Sequence, residues 1–299
     1  MSLIVVGSIA FDSVETPAGR ADDVLGGSAT YFSYAASFFG PVRLVGVVGS
    51  DFPTAFREML EKRNVDTAGL EVAPGKTFRW RGSYQGAMNA AQTLAVELNV
   101  FGSFDPKLPE KFRDSELVFL ANGSPQVQGR VLDQVRRPRL VVADTMNFYI
   151  DSAREPLIQL MSRIDGMVLN DEEARMLTGI TNLVAAGRRV LAWGPKFVVI
   201  KKGEHGAMLV TPTGVATLPA YPTDRVIDPT GAGDSFAGGM MGYLATQKTF
   251  DEAHLRRALA YGTVAASFNV EDFSLNRFQQ ISRADIDRRL DEYVKMLVV

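Results

Sequence analysis

The chain has 299 residues, of which 46% are hydrophobic and 22% charged, the balance of a globular protein with room for a large core. A formal charge of −2 gives no electrostatic case for nucleic acid or a membrane surface as a partner. Cysteine is absent, which excludes disulfides and thiolate chemistry and suits the cytoplasm; the longest apolar runs fall short of a membrane span.

In chain order, residues 3–7 form a short apolar run that predicts a buried strand. Residues 12–26 are mostly polar and are expected to serve a small appendage. A helix is predicted over 29–39, a strand over 42–48 and a helix over 52–62. Residues 77–101 break the pattern: Phe78-Arg79-Trp80-Arg81-Gly82-Ser83-Tyr84 alternates aromatic and polar, and reads with 92–101 as antiparallel strands forming a lid. Strands are then predicted at 117–120, 140–143, 167–169 and 197–200, separated by helices at 125–136, 155–162 and 171–178. From Asp251 the chain reads as helical apart from a loop over 271–278. Strands alternating with helices predict a mostly parallel sheet between two helical layers, a three-layer α/β/α arrangement over residues 1–299, with ligands at the carboxyl ends of the strands.

The most informative stretch is Asp228-Pro229-Thr230-Gly231-Ala232-Gly233-Asp234, followed by Ser-Phe-Ala-Gly-Gly. It passes from a turn into a helix. Gly231 and Gly233 remove side-chain bulk, so the N–H groups from Gly231 to Asp234 can converge on one oxyanion. A carboxylate among them, Asp234, suits a base that takes a proton from an attacking hydroxyl. Taken alone, the four residues Gly-Ala-Gly-Asp also fit a glycine turn capped by Asp234. Elsewhere, Gly75-Lys76-Thr77 has Leu70 where a P-loop needs glycine, so it is not one. His205 and His254 are too far apart for a histidine metal site. Lys201 and Lys202 end a strand, and one of the two is expected to face solvent. Gly238 and Gly242, one turn apart, predict close packing of their helix on the sheet.

With its neighbours, the 228–239 stretch resembles the second signature of the PfkB (ribokinase-like) family of carbohydrate kinases. Val6-Gly7-Ser8-Ile9-Ala10-Phe11-Asp12 resembles the family's first strand and substrate aspartate. Gly26-Gly27-Ser28-Ala29 resembles its di-glycine, Asn170-Asp171-Glu172-Glu173 its Asn-x-x-Glu motif, and Lys202-Gly203-Glu204-His205-Gly206 its glycine turn near the nucleotide. The resemblance implies a ribokinase-like fold with a β lid, and transfer of the γ-phosphoryl group of ATP to a hydroxymethyl group of a sugar or nucleoside. Asp234 would be the general base and Gly231, Ala232 and Gly233 the anion hole. Asn170, Glu173, Lys201, Gly203 and Thr230 would serve the nucleotide, with Glu173 reaching Mg²⁺ through water and Asp228 beside a monovalent cation, K⁺ or Na⁺. Asp12, Gly26, Gly27 and Tyr31 would line the acceptor site. An isolated Asn-x-x-Glu is ordinarily a helix cap, and capping can coexist with the family role.

The chain also departs from that pattern. Ala10 and Tyr31 stand where ribokinases have asparagines, and Phe11, Phe32, Phe78, Trp80 and Tyr84 make the region less polar. This favours an acceptor with an aromatic part, an adenosine-like nucleoside for example. Asp144-Thr145-Met146-Asn147 lacks the arginine of a related Asp-x-Asn-x-Arg motif, which argues against a charged acceptor. Residues 269–274 lack the family's usual Gly-Ala…Ser beside the adenine. Two other readings stay open: a non-catalytic nucleotide- or metabolite-binding regulator on the same fold, and a kinase of a hydroxymethylpyrimidine- or pyridoxal-like vitamin, whose relatives usually lack a lid. A homodimer pairing its lids is expected, because a lone lid sheet leaves its edges open.

Overall fold

The computed structural model describes residues 1–297. Strands β1 (Leu3–Val6), β2 (Ala10–Thr16) and β3 (Gly19–Gly26) precede helix α1 (Ser28–Ser37), β4 (Val42–Gly49), α2 (Thr54–Glu61) and β5 (Val65–Ala73). A second strand pair, β6 (Phe78–Tyr84) and β7 (Ala91–Glu97), leads to β8 (Leu117–Leu120), α3 (Pro125–Leu132), β9 (Leu140–Asp144), α4 (Asn147–Ser152) and α5 (Arg154–Met161). The chain continues through β10 (Gly166–Asn170), α6 (Asp171–Thr178), α7 (Leu183–Leu191), β11 (Phe197–Lys201) and the hairpin β12 (Ala207–Thr211) and β13 (Gly214–Leu218). It closes with α8 (Ala232–Ala245), α9 (Glu252–Asn269), α10 (Asn276–Gln279) and α11 (Arg283–Leu297).

Among the described residues the main sheet has nine strands in the order β13-β12-β11-β10-β9-β8-β1-β4-β5. From β11 to β5 every pairing is parallel, and only the β12–β13 hairpin at one edge introduces antiparallel neighbours. The alternation of a strand divides the core in two. Leu3 and Val5 of β1 join the side chains of α1, α8 and α9 on one face. Ile4 and Val6 join those of α3, α5, α6 and α7 on the other. Strands covered on both faces need apolar residues throughout, which is why they read as unbroken apolar runs.

The chain leaves β1 on one side toward β4 and returns on the other at β8, so the strand order reverses at β1. A crevice opens at the carboxyl end of such a point. The lid stands beside it, a second sheet in the order β3-β2-β6-β7. Its β6–β7 pair is antiparallel, as the alternating sequence predicts, but β2 and β6 run parallel, because β6 enters from β5 across the main sheet.

Several elements went unread in the sequence: β5, α4, α7 and the β12–β13 hairpin. β13 is only partly covered and has no clear apolar alternation. The expected loop at 271–278 is shortened by α10. The reading of Gly238 and Gly242 needs correction. A Cβ on Gly238 would meet Phe32 O at 2.4 Å, and one on Gly242 would meet Phe39 at 2.7 Å. These glycines bring α8 close to α1, and Gly239 does the same toward α9, where a Cβ would meet Ala265 at 2.7 Å. The close packing is helix on helix. Among the described residues no helix is long and apolar enough to cross a membrane.

Candidate active site

The site is assembled where β1, β9, β10 and β11 end, where α8 begins, and where β2 and β3 enter the lid. Gly231 caps α8 in the left-handed conformation (φ 73°), and no side chain caps that helix start. In α6, α7 and α9 a side chain of Asn170, Asn182 or Asp251 accepts a first-turn N–H. Ala232 N–H donates to Pro229 O at 3.1 Å, so the sequence expectation of three open donors is reduced to Gly231 and Gly233, which with the positive dipole end of α8 suit an anion. The loop before it is held from two sides. Asp228 Oδ1 accepts the Thr230 N–H at 2.9 Å. Asn269 Nδ2 donates to Thr230 O at 2.7 Å, while its Oδ1 accepts the Ser235 hydroxyl at 2.9 Å.

Asp234 lies in the first turn of α8. Burial pushes its carboxyl up to about 7; the Asp144 charge adds to this, and the Lys201 ammonium opposes it. Lys201, at the end of β11, points inward: a Cβ on Gly233 would meet its Nζ at 2.9 Å. The same Nζ is 3.5 Å from Asp144 Oδ2. Burial works against the Lys201 charge, but Asp144, Glu173 and Asp234 outweigh it and hold the ammonium above its ordinary value. Asn170 and Glu173 form a reciprocal capping box on α6: Glu173 N–H donates to Asn170 Oδ1 at 2.7 Å, and Asn170 N–H to Glu173 Oε2 at 2.6 Å. Burial raises the Glu173 carboxyl as well, with Lys201 opposing.

On the acceptor side, Asp12 is 4% exposed on lid strand β2. Burial, then the Asp228 charge, pushes its carboxyl up to about 7 against the pull of the Gly27 N–H. Gly26 makes room for it, since a Cβ there would stand 1.9 Å from Asp12 Oδ2. Gly27 (φ 94°) turns the chain into α1 so closely that a Cβ would meet Ser8 O at 2.6 Å. The Tyr31 hydroxyl donates to Asp12 Oδ2 at 3.5 Å, and its ring packs on Gly231. Tyr84 reaches in from the lid, its hydroxyl 3.4 Å from Thr230 Oγ1. Trp80 pairs in register with Asp12 and lies across Gly82.

The structure thus gathers Asp12, Gly26, Gly27, Tyr31, Asp228, Thr230, Gly231, Ala232, Gly233 and Asp234 into one site, with Lys201, Asn170 and Glu173 beside them. Gly203 stands apart from this group. It turns at φ 54° against the lid tip, where a Cβ would meet Asn89 Oδ1 at 2.8 Å, and Asn89 Nδ2 donates to Glu204 Oε1 at 2.7 Å. Three of the aromatics singled out in the sequence belong to packing: Phe32 stacks on Phe119, Phe78 on Phe101, and Phe11 sits among Phe52, Phe56 and Arg79. Sequence reasoning gave no role to Asp144 or Asn269. The signals available for Asp144 were its place in the partial Asp-x-Asn-x-Arg stretch and a carboxylate ending an apolar strand, and for Asn269 an amide ending an apolar helix.

Asp228 Oδ2 is buried without a hydrogen-bond partner among the described residues, which suits a monovalent cation. No group of three or more His, Cys, Asp or Glu among the described residues could hold a metal ion. A divalent ion near Glu173 would therefore draw most of its ligands from phosphate and water.

A profile described as pfkB family carbohydrate kinase matches residues 3–280. A cytidine kinase of Thermococcus kodakarensis is 30% identical over 260 residues, 84% of this chain and 91% of the relative. A nucleoside kinase of Methanothermobacter thermautotrophicus is 25% identical over 293 residues, 90% and 89% of the two chains. Among solved structures, a nucleoside kinase of Burkholderia thailandensis in complex with inosine superposes with a TM-score of 0.81 at 19% identity, covering 98% of both chains. The three-layer fold is ribokinase-like, and the chain belongs to the pfkB family of carbohydrate kinases, phosphotransferases with an alcohol group as acceptor.

Proposed function

We propose that this protein is an ATP- and Mg²⁺-dependent nucleoside kinase that phosphorylates a hydroxymethyl group. The observation that carries the reading is Asp234, half-buried in the first turn of the uncapped helix α8, where its charge acts on both Lys201 and Asp12. The nucleoside, rather than a bare sugar, is supported by relatives named cytidine and nucleoside kinase. Trp80 and Tyr84 supply aromatic surface for a base, while the Tyr31 ring is packed on Gly231. A sugar acceptor is the second reading, because relatives named ribokinase and fructokinase also match.

In this mechanism Asp12 accepts hydrogen bonds from the acceptor's ring hydroxyls, with Gly26 and Gly27 leaving space for the ring. Asp234 takes the proton from the attacking hydroxyl. Its proton affinity, raised by burial, makes it a better base than a solvated carboxylate. The N–H groups of Gly231 and Gly233 stabilise charge on the transferred group, and that of Ala232 joins them only by releasing Pro229 O, to which it donates at 3.1 Å. Lys201 adds a positive charge beside Gly233. Thr230 would serve the nucleotide, and Asn170 and Glu173 would orient water on the metal; Gly203, packed against Asn89 of the lid tip, is left out of this assignment. When bound, Mg²⁺ would neutralise phosphate charge, and the unpartnered Asp228 Oδ2 would hold K⁺ or Na⁺.

The reading extends to a cytoplasmic homodimer joined through the lids. The exposed strand β7 carries Leu94 and Val96, each 52% exposed, and β3 and β7 have unpaired outer edges among the described residues. The four-stranded lid weighs against a vitamin kinase. Intact Asp234 and Asn170/Glu173 weigh against a non-catalytic regulator. The test is ATP turnover over a panel of nucleosides and sugars, with Asp234→Asn as control. Turnover on nucleosides is expected; turnover on sugars alone rejects the acceptor assignment, and full activity of the variant rejects the mechanism.

A further inference from the structure

We propose that Asp144 is a positioning residue for phosphoryl transfer, holding the Lys201 ammonium against the open start of α8. The inference rests on the kinase reading above. Asp144 ends β9 and Lys201 ends β11, with β10 between them, so the lysine side chain spans a strand to reach its partner. The two side chains are 5% and 17% exposed. Asp144 is itself fixed. Its Oδ1 accepts the Thr145 N–H at 2.7 Å, and its backbone carbonyl accepts Gln128 Nε2 at 3.0 Å. The same Gln128 amide reaches Leu120 O and Ala121 O at 3.1 Å, tying the end of β9 to that of β8.

The geometry of the pair is what separates this role from a simple structural salt bridge. The ammonium has three donors and makes one contact with Asp144, at 3.5 Å, so it keeps donors free for another oxygen. Those donors lie beside Gly233, at the helix end expected to receive phosphate. Asp144 also competes for the ammonium with Glu173 and Asp234, both of which act on it electrostatically. Without Asp144, Lys201 would pair with one of these, and pairing with Asp234 would weaken the base and remove the cation from the phosphate.

The experiment compares Asp144→Asn, Lys201→Met and the double variant, each checked by thermal melting. Asp144→Asn is expected to lower kcat by roughly tenfold or more while acceptor KM stays within about threefold. The double variant should be no slower than Lys201→Met alone, because Asp144 acts through Lys201. It also removes both members of the Asp144–Lys201 pair, so it stays informative if Asp144→Asn, which strands the lysine, folds poorly. Asp144→Glu should recover part of the lost rate. Additive losses in the double variant, or a loss confined to acceptor KM, overturn the proposal. Calorimetric Mg-ATP binding needs no acceptor. If the wild-type protein turns over none of the acceptors, the kinase reading fails, and Asp144 is judged by this binding alone. Weaker nucleotide binding by about fivefold or more in Asp144→Asn supports the role, and unchanged binding rejects it.

Discussion

The ring of Tyr31 lies on the α-carbon of Gly231, where a Cβ would come within 2.3 Å of it. Tyr31 belongs to α1 and bonds to Asp12; Gly231 begins the turn into α8 beside Asp234. One contact therefore links the carboxylate of lid strand β2 to the turn that opens α8. Glycine is required at 231 twice over, for the ring contact and for its left-handed backbone.

Gly231→Ala should separate those two halves. The backbone strain alone is worth roughly 1 kcal/mol, a small loss of stability. The displacement of Tyr31 should matter more, with kcat falling by about a hundredfold, because misplacement of a reacting group by an ångström has that effect. Steady-state kinetics beside a melting curve distinguish the two. A folded variant within threefold of wild-type activity rejects the contact as a functional one.

Asp234→Asn keeps the shape and removes the base. A loss in kcat of roughly 10²- to 10⁴-fold is expected, with acceptor KM little changed. An equal loss in Asp12→Asn kcat without a rise in acceptor KM would contradict the division of labour between the two carboxylates.

The pH dependence should run in opposite directions for activity and stability. Burial holds Asp234 and Asp12 at about 7, so kcat/KM should rise with pH through that value as the base loses its proton. Folding stability should fall over the same range. A carboxyl raised on folding contributes stability that is complete below its unfolded value, near 4, and is lost as pH rises through about 7. Melting temperature between pH 5.5 and 8 checks this. Asp12→Asn should flatten the decline and melt higher than wild type at pH 8. An unchanged slope in that variant shows that Asp12 is not one of the groups responsible.

Much of the fold was legible because strands buried on both faces must be continuously apolar. β1, β8, β9, β10 and β11 were visible on that ground within a residue or two. β13 and β5 were not, since an edge or partly exposed strand has no such requirement. The glycine turn into α8 was legible because its pattern is local: Gly231, Gly233 and Asp234 are neighbours in sequence. Asp144 and Asn269 were not, because their partners, Lys201 and Thr230, are set by strand order and helix packing and leave no trace in spacing. The aromatics stayed undecided between core and site for the same reason, and Phe32 and Phe78 prove to be core. Nothing local distinguishes Phe32, buried on Phe119, from Tyr31 beside it.

Asn269 gives the most demanding test, since it touches none of the expected reactants. Its amide joins Thr230 O to the Ser235 hydroxyl, clamping the loop before α8 to the helix itself. Asn269→Ala leaves buried polar groups without partners, which costs about 1–3 kcal/mol each, and the melting temperature should fall by several degrees. Because the Thr230–Gly231 turn loses its anchor, kcat should fall too, by roughly tenfold or more, below the loss expected for Asp234→Asn. Ser235→Ala is the comparison. It breaks only the helix half of the clamp and leaves the Asn269–Thr230 bond, so it should lower stability while largely keeping kcat. If both variants lose stability equally and neither loses rate, the clamp serves folding alone, and the turn before α8 holds its shape by its own backbone.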